Sequence, residues 1–349
     1  MTKVPAYATG GPGEPLSPFT IERRAPRPDD VVIDILYCGI CHSDIHQARD
    51  EWGNSTYPMV PGHEIVGRVA EVGRDVTRLR PDDTVGVGCF VDACLACAYC
   101  ERDLEQFCEM GTAFTYNGTE MDRRTPTFGG YSTRIVVRDR FVLRIPDALD
   151  PAGASPLLCA GITTFSPLHE AKTKAGDRVA VVGLGGLGHM AVKLARSMGA
   201  EVTVLSTSPA KEADARRLGA TSFELTREQG TFEKLAGRFD LVIDSVSAPH
   251  DYNAYLRTLR PLGTMVLLGI PPAPIPLDST ALILGNRRLV GSNIGGIAET
   301  QAMLDYCGEH AIVCDVEVIP AEEINAAYER VLRGDVRYRF VVDAASLKR

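Results

Sequence analysis

The sequence lacks the features that would assign it to a membrane or to a nucleic acid. None of its stretches approaches the roughly 20 consecutive apolar residues that a membrane helix needs. The N-terminal segment shows no basic stretch followed by an apolar one, so we expect no secretory signal peptide. Lysine and arginine form no run, and the net charge is -8, which disfavours nucleic acid as a partner.

Internal repeats and low-complexity tracts are absent as well, and what remains is the composition of an ordinary globular protein. Of the 349 residues, 45% are hydrophobic and 23% are charged. A chain of this length exceeds what a single core usually organises, so the length predicts two domains. The sequence has ten cysteines and no secretory features, which favours a reducing compartment, and we expect a cytoplasmic protein.

Four of the cysteines lie close together, at Cys94, Cys97, Cys100 and Cys108. Four thiolates in one short segment are typical of a structural zinc site, in which Cys-x-x-Cys spacings let one loop surround the metal. Disulfides would require an oxidising compartment, for which the sequence gives no sign. An iron–sulfur cluster also takes four thiolates, and these residues alone leave that alternative open.

The sequence pattern changes near Pro146. Before it, short β-branched or alternating runs are separated by glycine and proline, which predicts a small, mostly β domain. After it, strand-like and helix-like segments alternate, which predicts a doubly wound parallel sheet with crossover helices. The fold class is therefore α/β. We expect a first domain at 1–150 with a metal lobe at about 89–110, a second domain at 151–290, and a tail, 291–349, that returns to the first.

A glycine-rich segment follows the first strand of the second domain. The strand at 179–182 leads into Gly183, Leu184, Gly185, Gly186, Leu187 and Gly188, and an apolar helix follows. In this position the pattern is the fingerprint of a dinucleotide site, because the glycines let the backbone approach a pyrophosphate at the helix N-terminus.

The end of the next strand favours NADP(H) as the cofactor. Sites for NAD place Asp or Glu there, to bind the ribose 2′-hydroxyl. This sequence instead has three hydroxyls and a lysine, namely Ser206, Thr207, Ser208 and Lys211. These groups can hold a 2′-phosphate, which a carboxylate would repel. The same residues could also form a solvated turn that caps the next helix.

Three further segments carry metal-binding side chains, none of them decisive alone. They supply Cys41, His63 and Cys159. Two cysteines and one histidine, with room for a fourth ligand, are the composition of an open catalytic zinc site.

Taken together, these motifs resemble those of the zinc-dependent alcohol dehydrogenases in the medium-chain dehydrogenase/reductase superfamily. Within it, the chain is similar to the cinnamyl-alcohol-dehydrogenase-like, NADP-dependent branch. The resemblance runs from about Tyr7 to the C-terminus and rests on segments 39–46, 61–64, 94–108, 159–163, 183–188 and 206–211.

The resemblance implies a GroES-like catalytic domain, interrupted by a Rossmann domain, that binds two Zn²⁺ ions and NADP(H). It implies that Cys41, His63 and Cys159 hold a catalytic zinc with Glu64 as an alternating ligand, that Asp44 orients His63, and that Ser43 and His46 relay protons. Further cofactor contacts are implied at Thr163, Ser245, Gly269, Ser292, Asn293 and Ile294, and pocket residues at Trp52, Cys89 and Phe114.

The activity that the resemblance implies is reversible hydride transfer between primary alcohols and aldehydes, including aryl or bulky aldehydes. A homodimer is implied too, with 287–294 as an edge strand between the subunits. Lignin-pathway relatives commonly carry tryptophan where this chain has Phe114, so cinnamyl alcohols are not assigned as substrates. Two alternatives remain: an NAD-dependent polyol dehydrogenase on the same scaffold, and an NADPH-binding redox sensor without turnover.

Overall fold

The computed structural model describes residues 1–348, which form two compact units. One unit comprises 1–162 together with the tail from Gly295 onward, and the other comprises 163–294. The sequence predicted divisions after 150 and after 290; the compact units divide after Ile162 and after Ile294. Among the described residues, no helix is both long enough and apolar enough to cross a membrane.

The strands and helices are numbered here in chain order. The strands are β1 Thr2–Ala8, β2 Ser17–Arg23, β3 Asp30–Gly39, β4 Ile65–Val72, β5 Thr84–Val87, β6 Phe90–Asp92, β7 Ala113–Phe114, β8 Gly118–Thr119, β9 Pro126–Thr127, β10 Arg134–Arg138, β11 Leu143–Arg144, β12 Arg178–Val182, β13 Glu201–Ser206, β14 Ser222–Leu225, β15 Phe239–Asp244, β16 Leu259–Leu267, β17 Arg288–Gly291, β18 Val316–Ile319 and β19 Arg339–Asp343. The helices are α1 His42–Ala48, α2 Pro151–Ala154, α3 Ala160–Glu170, α4 Gly188–Ser197, α5 Glu212–Leu218, α6 Thr231–Lys234, α7 Tyr252–Thr258, α8 Ser279–Ile283, α9 Ile297–Glu309 and α10 Ile324–Leu332. Short 3-10 turns lie at Cys100–Arg102, Glu105–Phe107, Asp139–Phe141, Ser155–Leu158, Pro209–Lys211, Ala321–Glu323 and Ala344–Lys348.

The first unit is built on a sheet in the order β11-β5-β4-β3-β19-β18, with β10 also paired to β3. Strand β3 is its centre, and most of its residues are buried because the strand has neighbours on both sides. The predicted strand run at 131–144 is interrupted, since a 3-10 turn at Asp139–Phe141 separates β10 from β11.

The tail returns to this sheet. Strand β19 pairs antiparallel with β3, so that Val341 lies opposite Gly39 and Val342 opposite Cys38. Strand β18 then adds in parallel to β19 at the edge. The apolar residues of β19 are buried, and this burial stabilises the return across almost the whole length of the sequence.

The second unit contains a six-stranded parallel sheet in the order β14-β13-β12-β15-β16-β17. Numbered from β12, this is the strand order 3-2-1-4-5-6 of the Rossmann fold, with its topological switch between β12 and β15. Strand β12 is buried almost completely, as expected where helices cover both faces of a parallel sheet. Its apolar run therefore predicts a strand without alternation.

Candidate metal centres and cofactor site

Four buried side chains meet in the first unit, and each comes from the end of an element. Cys41 precedes α1, and His63 and Glu64 precede β4. Cys159 lies between the 3-10 turn Ser155–Leu158 and α3. One ligand atom from each residue lies within 4.8 Å of the others, and the two sulfurs are 4.0 Å apart. Ligands 2.3 Å from a tetrahedral zinc would place sulfurs about 3.8 Å apart, so the set fits zinc.

Asp44 fixes the orientation of the histidine in this cluster. Its Oδ1 accepts hydrogen bonds from His63 Nδ1 at 3.0 Å and from the Gly62 backbone at 3.1 Å. Its Oδ2 accepts from the Cys41 backbone at 2.9 Å and from the Tyr131 hydroxyl at 3.2 Å. With Nδ1 bonded to the carboxylate, Nε2 is the nitrogen left for a metal.

Electrostatics also favour a cation in the cluster. The hydrogen bond between the two thiols lowers the pKa of Cys41 and raises the pKa of Cys159, so the pair favours one thiolate, which can bind a metal. Burial alone would lower the pKa of His63, but the Asp44 carboxylate raises it on balance.

Glu64 adds a buried carboxylate with one oxygen still available. Its Oε1 pairs with the Arg339 guanidinium, whereas Oε2 has no hydrogen-bond partner within residues 1–348. Burial raises the pKa of Glu64 to about 7, although Arg339 opposes the shift. A Cβ at Gly39 would lie 1.9 Å from Oε2, so a larger residue there would displace the carboxylate. An orphaned buried oxygen beside two thiols and an imidazole suits a metal ion.

Helix α1 carries both predicted relay residues and places Ser43 next to the cluster. Ser43 Oγ lies 3.7 Å from the Cys41 sulfur, and His46 is one turn further along the same helix. His46 is partly exposed, its Nδ1 lies 2.5 Å from Glu51 Oε2, and its ring is 5.1 Å from that of Trp52.

The four cysteines of the lobe also converge. The sulfurs of Cys94, Cys97, Cys100 and Cys108 lie within 4.8 Å of one another, with 3.9 Å between those of Cys94 and Cys100. The backbone amides of Cys100 and Glu109 point to the Cys97 sulfur and lower its pKa to about 6. A tetrahedral zinc fits this closed set of four sulfurs.

Most of the predicted cofactor residues of the second unit lie at one edge of its sheet. The registers align Leu205, Val182, Asp244, Leu267 and Gly291 in a row across β13, β12, β15, β16 and β17. Residues that follow this row therefore share the carboxyl edge, where α/β sheets bind ligands. They are Gly183, Ser206, Thr207, Ser208, Ser245, Gly269, Ser292, Asn293 and Ile294. Thr163 lies buried on α3.

The glycine loop has the local geometry of a phosphate-binding turn. Gly183 has φ of +82°, which favours glycine. A Cβ at Gly188 would lie 2.1 Å from the Gly183 carbonyl oxygen. A Cβ at Gly185 would have no atom of residues 1–348 within 4 Å, apart from its own chain neighbours. Gly188 thus permits close packing of helix on strand, and Gly185 leaves open space over the loop. Gly186 accepts from His189 Nδ1 at 2.8 Å.

The turn after β13 carries hydroxyls and a lysine. Ser206 is buried and its Oγ accepts from the Ser208 backbone at 3.2 Å, while Thr207 is exposed. Lys211 Nζ lies 2.9 Å from the Leu184 carbonyl oxygen, so its ammonium reaches the glycine loop. Positive charge at this position suits a cofactor phosphate.

Comparison with known proteins gives a consistent family for both parts of the chain. Residues 27–147 match the alcohol dehydrogenase GroES-like domain, and residues 186–309 match the zinc-binding dehydrogenases. The NADP-dependent alcohol dehydrogenase C of Mycobacterium bovis is 55% identical over 347 residues, which cover 99% of this chain and 100% of that protein. The chain belongs to the zinc-dependent alcohol dehydrogenases.

Solved structures of zinc-dependent alcohol dehydrogenases agree. A cinnamyl alcohol dehydrogenase from Sorghum bicolor superposes with a TM-score of 0.96 at 43% identity, covering 99% of this chain and 98% of that one. The Helicobacter pylori cinnamyl alcohol dehydrogenase, complexed with NADP(H), gives 0.92 at 41% identity, with 98% of each chain covered. The aldehyde reductase YahK of Escherichia coli is 49% identical over 99% of each chain. The predicted family and fold class are confirmed.

This zinc-dependent alcohol dehydrogenase also has site residues that the sequence reasoning missed. Glu51 contacts His46, Arg339 contacts Glu64, and Tyr131 contacts Asp44. A carboxylate five residues after a relay histidine could have pointed to Glu51. An arginine at the start of a buried strand could have pointed to Arg339, since a buried charge needs a partner.

The predicted pocket residues differ in exposure. Trp52 is 40% exposed and Phe114 is 55% exposed, so both rings present apolar surface. Cys89 is half-buried, and its sulfur lies 3.8 Å from the Leu158 carbonyl oxygen, one residue before Cys159. Cys89 therefore lies beside the metal cluster, and its role in a pocket stays a prediction.

Proposed function

We propose that this chain is a zinc-dependent alcohol dehydrogenase that interconverts primary alcohols and aldehydes with NADP(H). The proposal rests on one observation: four potential metal ligands lie close together and are buried, namely Cys41, His63, Glu64 and Cys159. Two thiols and an imidazole leave a coordination position for a substrate oxygen, unlike the closed set of four sulfurs in the lobe.

In this proposal Cys41, His63 and Cys159 hold the catalytic zinc, and Glu64 alternates as a further ligand. When bound, zinc supplies a Lewis acid that polarises the oxygen of the substrate, and NADP(H) supplies or accepts the hydride. Asp44 keeps His63 in the tautomer that binds metal, through the 3.0 Å hydrogen bond to Nδ1. Arg339 balances the charge of Glu64.

Ser43 and His46 carry the proton in this proposal. Ser43 lies beside the Cys41 sulfur, so its hydroxyl can take the proton that the alcohol loses on oxidation, or give a proton to the substrate oxygen when the aldehyde is reduced to the alcohol. His46 is partly exposed and can exchange that proton with solvent. Glu51 orients the His46 ring by bonding to Nδ1, which leaves Nε2 to exchange the proton.

The cofactor would be held at the carboxyl edge of the parallel sheet. Gly183, Leu184, Gly185, Gly186, Leu187 and Gly188 would accommodate the pyrophosphate, and Ser206, Thr207, Ser208 and Lys211 would bind the 2′-phosphate. Thr163, Ser245, Gly269, Ser292, Asn293 and Ile294 would contact the remaining parts of the cofactor. Hydroxyls and a lysine after β13, with no carboxylate at the strand end, favour NADP(H) over NAD(H).

Aryl or bulky aldehydes are the proposed substrate class. The exposed rings of Trp52 and Phe114, with Cys89 near the cluster, offer apolar surface to such a group. Relatives named as cinnamyl alcohol dehydrogenases and as an aldehyde reductase support the same class. An apolar pocket discriminates by only about 10–200-fold per methylene, so a broad substrate range is expected.

The experiment combines metal analysis with kinetics. We expect two zinc ions per chain and turnover of aldehydes with NADPH, with a lower kcat/KM for NADH. Cys159→Ala should lose one zinc ion and all turnover, and Cys100→Ala should lose the other zinc ion. Full turnover by Cys159→Ala would refute the catalytic assignment, and a preference for NADH would refute the choice of cofactor.

A homodimer in a reducing compartment such as the cytoplasm is also proposed. Strand β17 ends the order of the six-stranded sheet, and Val290 on it is 40% exposed. Ile283 and Leu284, just before it in sequence, are 68% and 85% exposed. A sheet edge bordered by apolar side chains favours pairing with a second copy. The reducing compartment follows from the ligand cysteines, which must stay thiols.

Light scattering tests the dimer. Leu284→Glu should convert it to a monomer, because burying a leucine stabilises an interface by about 1.5–3 kcal/mol and a buried carboxylate opposes it. Leu332→Glu is the matched control, since Leu332 is 41% exposed at the end of α10 in the other unit. A monomeric wild-type protein would contradict the proposal.

A further inference from the structure

A histidine that the proposed reaction does not use lies beside the cofactor edge. His250 follows β15, and its Nε2 is 2.9 Å from Oδ2 of Asp244, the last residue of that strand. Its Nδ1 is 2.8 Å from the Ala248 carbonyl oxygen. Both partners are acceptors, and only the protonated imidazolium can donate from both nitrogens at once.

The surroundings of the ring favour that charged form. The ring centroid lies 4.0 Å from that of Tyr252 and 5.3 Å from that of Tyr255, both on α7. Asp244 is almost fully buried, and Asp251 is the other carboxylate that acts on the ring. Burial alone would lower the pKa of His250, but Asp244, the Ala248 carbonyl and Asp251 raise it on balance. Aromatic faces add attraction for a cation.

The contacts of His250 close the short loop at 245–249. Asp244 Oδ1 accepts from the Val246 backbone at 3.1 Å, and Ser245 Oγ donates to the Val182 carbonyl at 2.8 Å. Asp244 therefore holds the beginning of the loop with one oxygen, and it holds His250 at the end of the loop with the other.

This loop packs tightly against two glycines of the cofactor edge. A Cβ at Gly183 would lie 2.6 Å from Val246 Cγ2, and a Cβ at Gly269 would lie 2.5 Å from the Val246 carbonyl group. Val246 therefore packs directly against the backbone of both glycines. A displacement of Val246 would displace the turns that follow β12 and β16.

We infer that His250 is a positioning residue for the cofactor site: as an imidazolium bridging Asp244 and Ala248, it holds loop 245–249 in the conformation that NADP(H) binds. The inference rests on the proposed function, because it assumes NADP(H) at this edge. Loss of the proton removes one donor, so the affinity for NADPH should fall as the pH rises through the pKa of His250. By linkage, bound NADPH should raise that pKa.

The experiment measures the Kd of NADPH by cofactor fluorescence from pH 6 to pH 9, without substrate. The 2′-phosphate itself titrates near pH 6, so each variant is compared with the wild-type protein at the same pH, which cancels that contribution. For His250→Phe, Kd should exceed the wild-type value by roughly fivefold to tenfold at pH 6 and approach it at pH 9, a coupling at the low end of the usual range.

His250→Gln separates charge from hydrogen bonding. A neutral glutamine can donate to Asp244 at every pH, so its Kd should lie between those of the wild-type protein and His250→Phe at pH 6. The matched control is His310→Gln, because His310 also stacks on a tyrosine, Tyr306, and bonds a carbonyl, but belongs to the other unit. Its Kd should follow the wild-type value throughout.

The outcomes are distinct. A ratio of variant to wild-type Kd that does not change with pH would overturn the inference while leaving the cofactor assignment intact. Absence of NADPH binding by the wild-type protein would overturn both. If His250→Phe does not fold, the pH dependence of the His250→Gln ratio decides the question by the same criterion.

Discussion

The substitution Asp44→Asn tests how much the metal cluster depends on one buried carboxylate. Asp44 accepts four hydrogen bonds, from His63, Gly62, Cys41 and Tyr131. An amide of the same shape offers only one acceptor oxygen, so in either orientation its NH₂ group faces a backbone N–H. The variant therefore loses charged hydrogen bonds and leaves a buried donor without an acceptor.

Two contributions to the loss of stability can be separated. Without metal, an unsatisfied buried donor costs about 1–3 kcal/mol, so we expect about 3 kcal/mol with the weakened charged bonds included. With zinc present, loss of the carboxylate behind His63 should lower metal affinity by about 10–100-fold, as for other partners of metal ligands. That loss corresponds to about 1.4–2.8 kcal/mol in addition.

Urea unfolding followed by the fluorescence of Trp52, the single tryptophan, measures both contributions in the unit that contains the cluster. The comparison is made in excess EDTA and again in saturating zinc. Asp75→Asn is the matched control, because its carboxylate is 64% exposed. If Asp44→Asn unfolds within about 0.5 kcal/mol of the wild-type protein in EDTA, as surface substitutions do, the hydrogen-bond reasoning is wrong. Equal zinc affinity would refute the second contribution.

Three further predictions concern other parts of the molecule. Gly188→Ala should lower thermal stability sharply because its Cβ would meet the backbone of the glycine loop, whereas Gly185→Ala should fold and lose NADPH affinity. Calorimetry measures the stability and fluorescence titration measures the affinity. Equal stability of the two variants would contradict this prediction. Cys100→Ala should retain one zinc ion and melt earlier, since structural zinc contributes folding free energy directly; an unchanged melting temperature would argue against a structural lobe. Glu51→Gln should lower kcat by about threefold to tenfold with an unchanged Kd for NADPH, because His46 loses its carboxylate partner. Stopped-flow and steady-state rates measure this effect. An unaltered kcat would exclude the positioning role of Glu51.

Local patterns were enough to predict the parallel sheet of the second unit, although not its bounds, which are 163–294 and not 151–290. The apolar run of β12 is followed by glycines and an apolar helix, and each feature follows from the burial of a parallel strand and from the close approach of a helix. The strands of the first unit were harder to predict from local patterns. Its run at 131–144 alternates as one strand would, yet it forms β10 and β11 because the chain turns at Asp139–Phe141 to reach a different partner strand. Such a choice depends on distant pairings that a local pattern does not contain.

The metal cluster illustrates the same limit at the level of side chains. The residue types of Cys41, His63 and Cys159 predicted a set of ligands, although their sequence separation carries no geometric information. The resemblance implied that Asp44 orients His63, but the contacts that hold Asp44 and Glu64 in place were not predicted. Tyr131 reaches Asp44 across 87 positions of sequence, and its hydroxyl is buried. An isolated tyrosine in a β-rich segment looks like an ordinary core residue until the sheet brings it to a carboxylate.

Arg339 links the pairing of distant strands to the contacts of the metal ligands. It shows that the C-terminal strand β19 contributes a charge to the metal cluster. A carboxylate buried as completely as that of Glu64 needs a cation close by, or it takes up a proton. Segment 1–162 supplies imidazole and thiols to the cluster, but the guanidinium comes from β19, 275 positions after Glu64. The antiparallel pairing of β19 with β3 brings Arg339 to Glu64, so the last strand of the sheet also completes the charge balance of the cluster. Strand pairing and the electrostatics of the cluster therefore depend on the same residues.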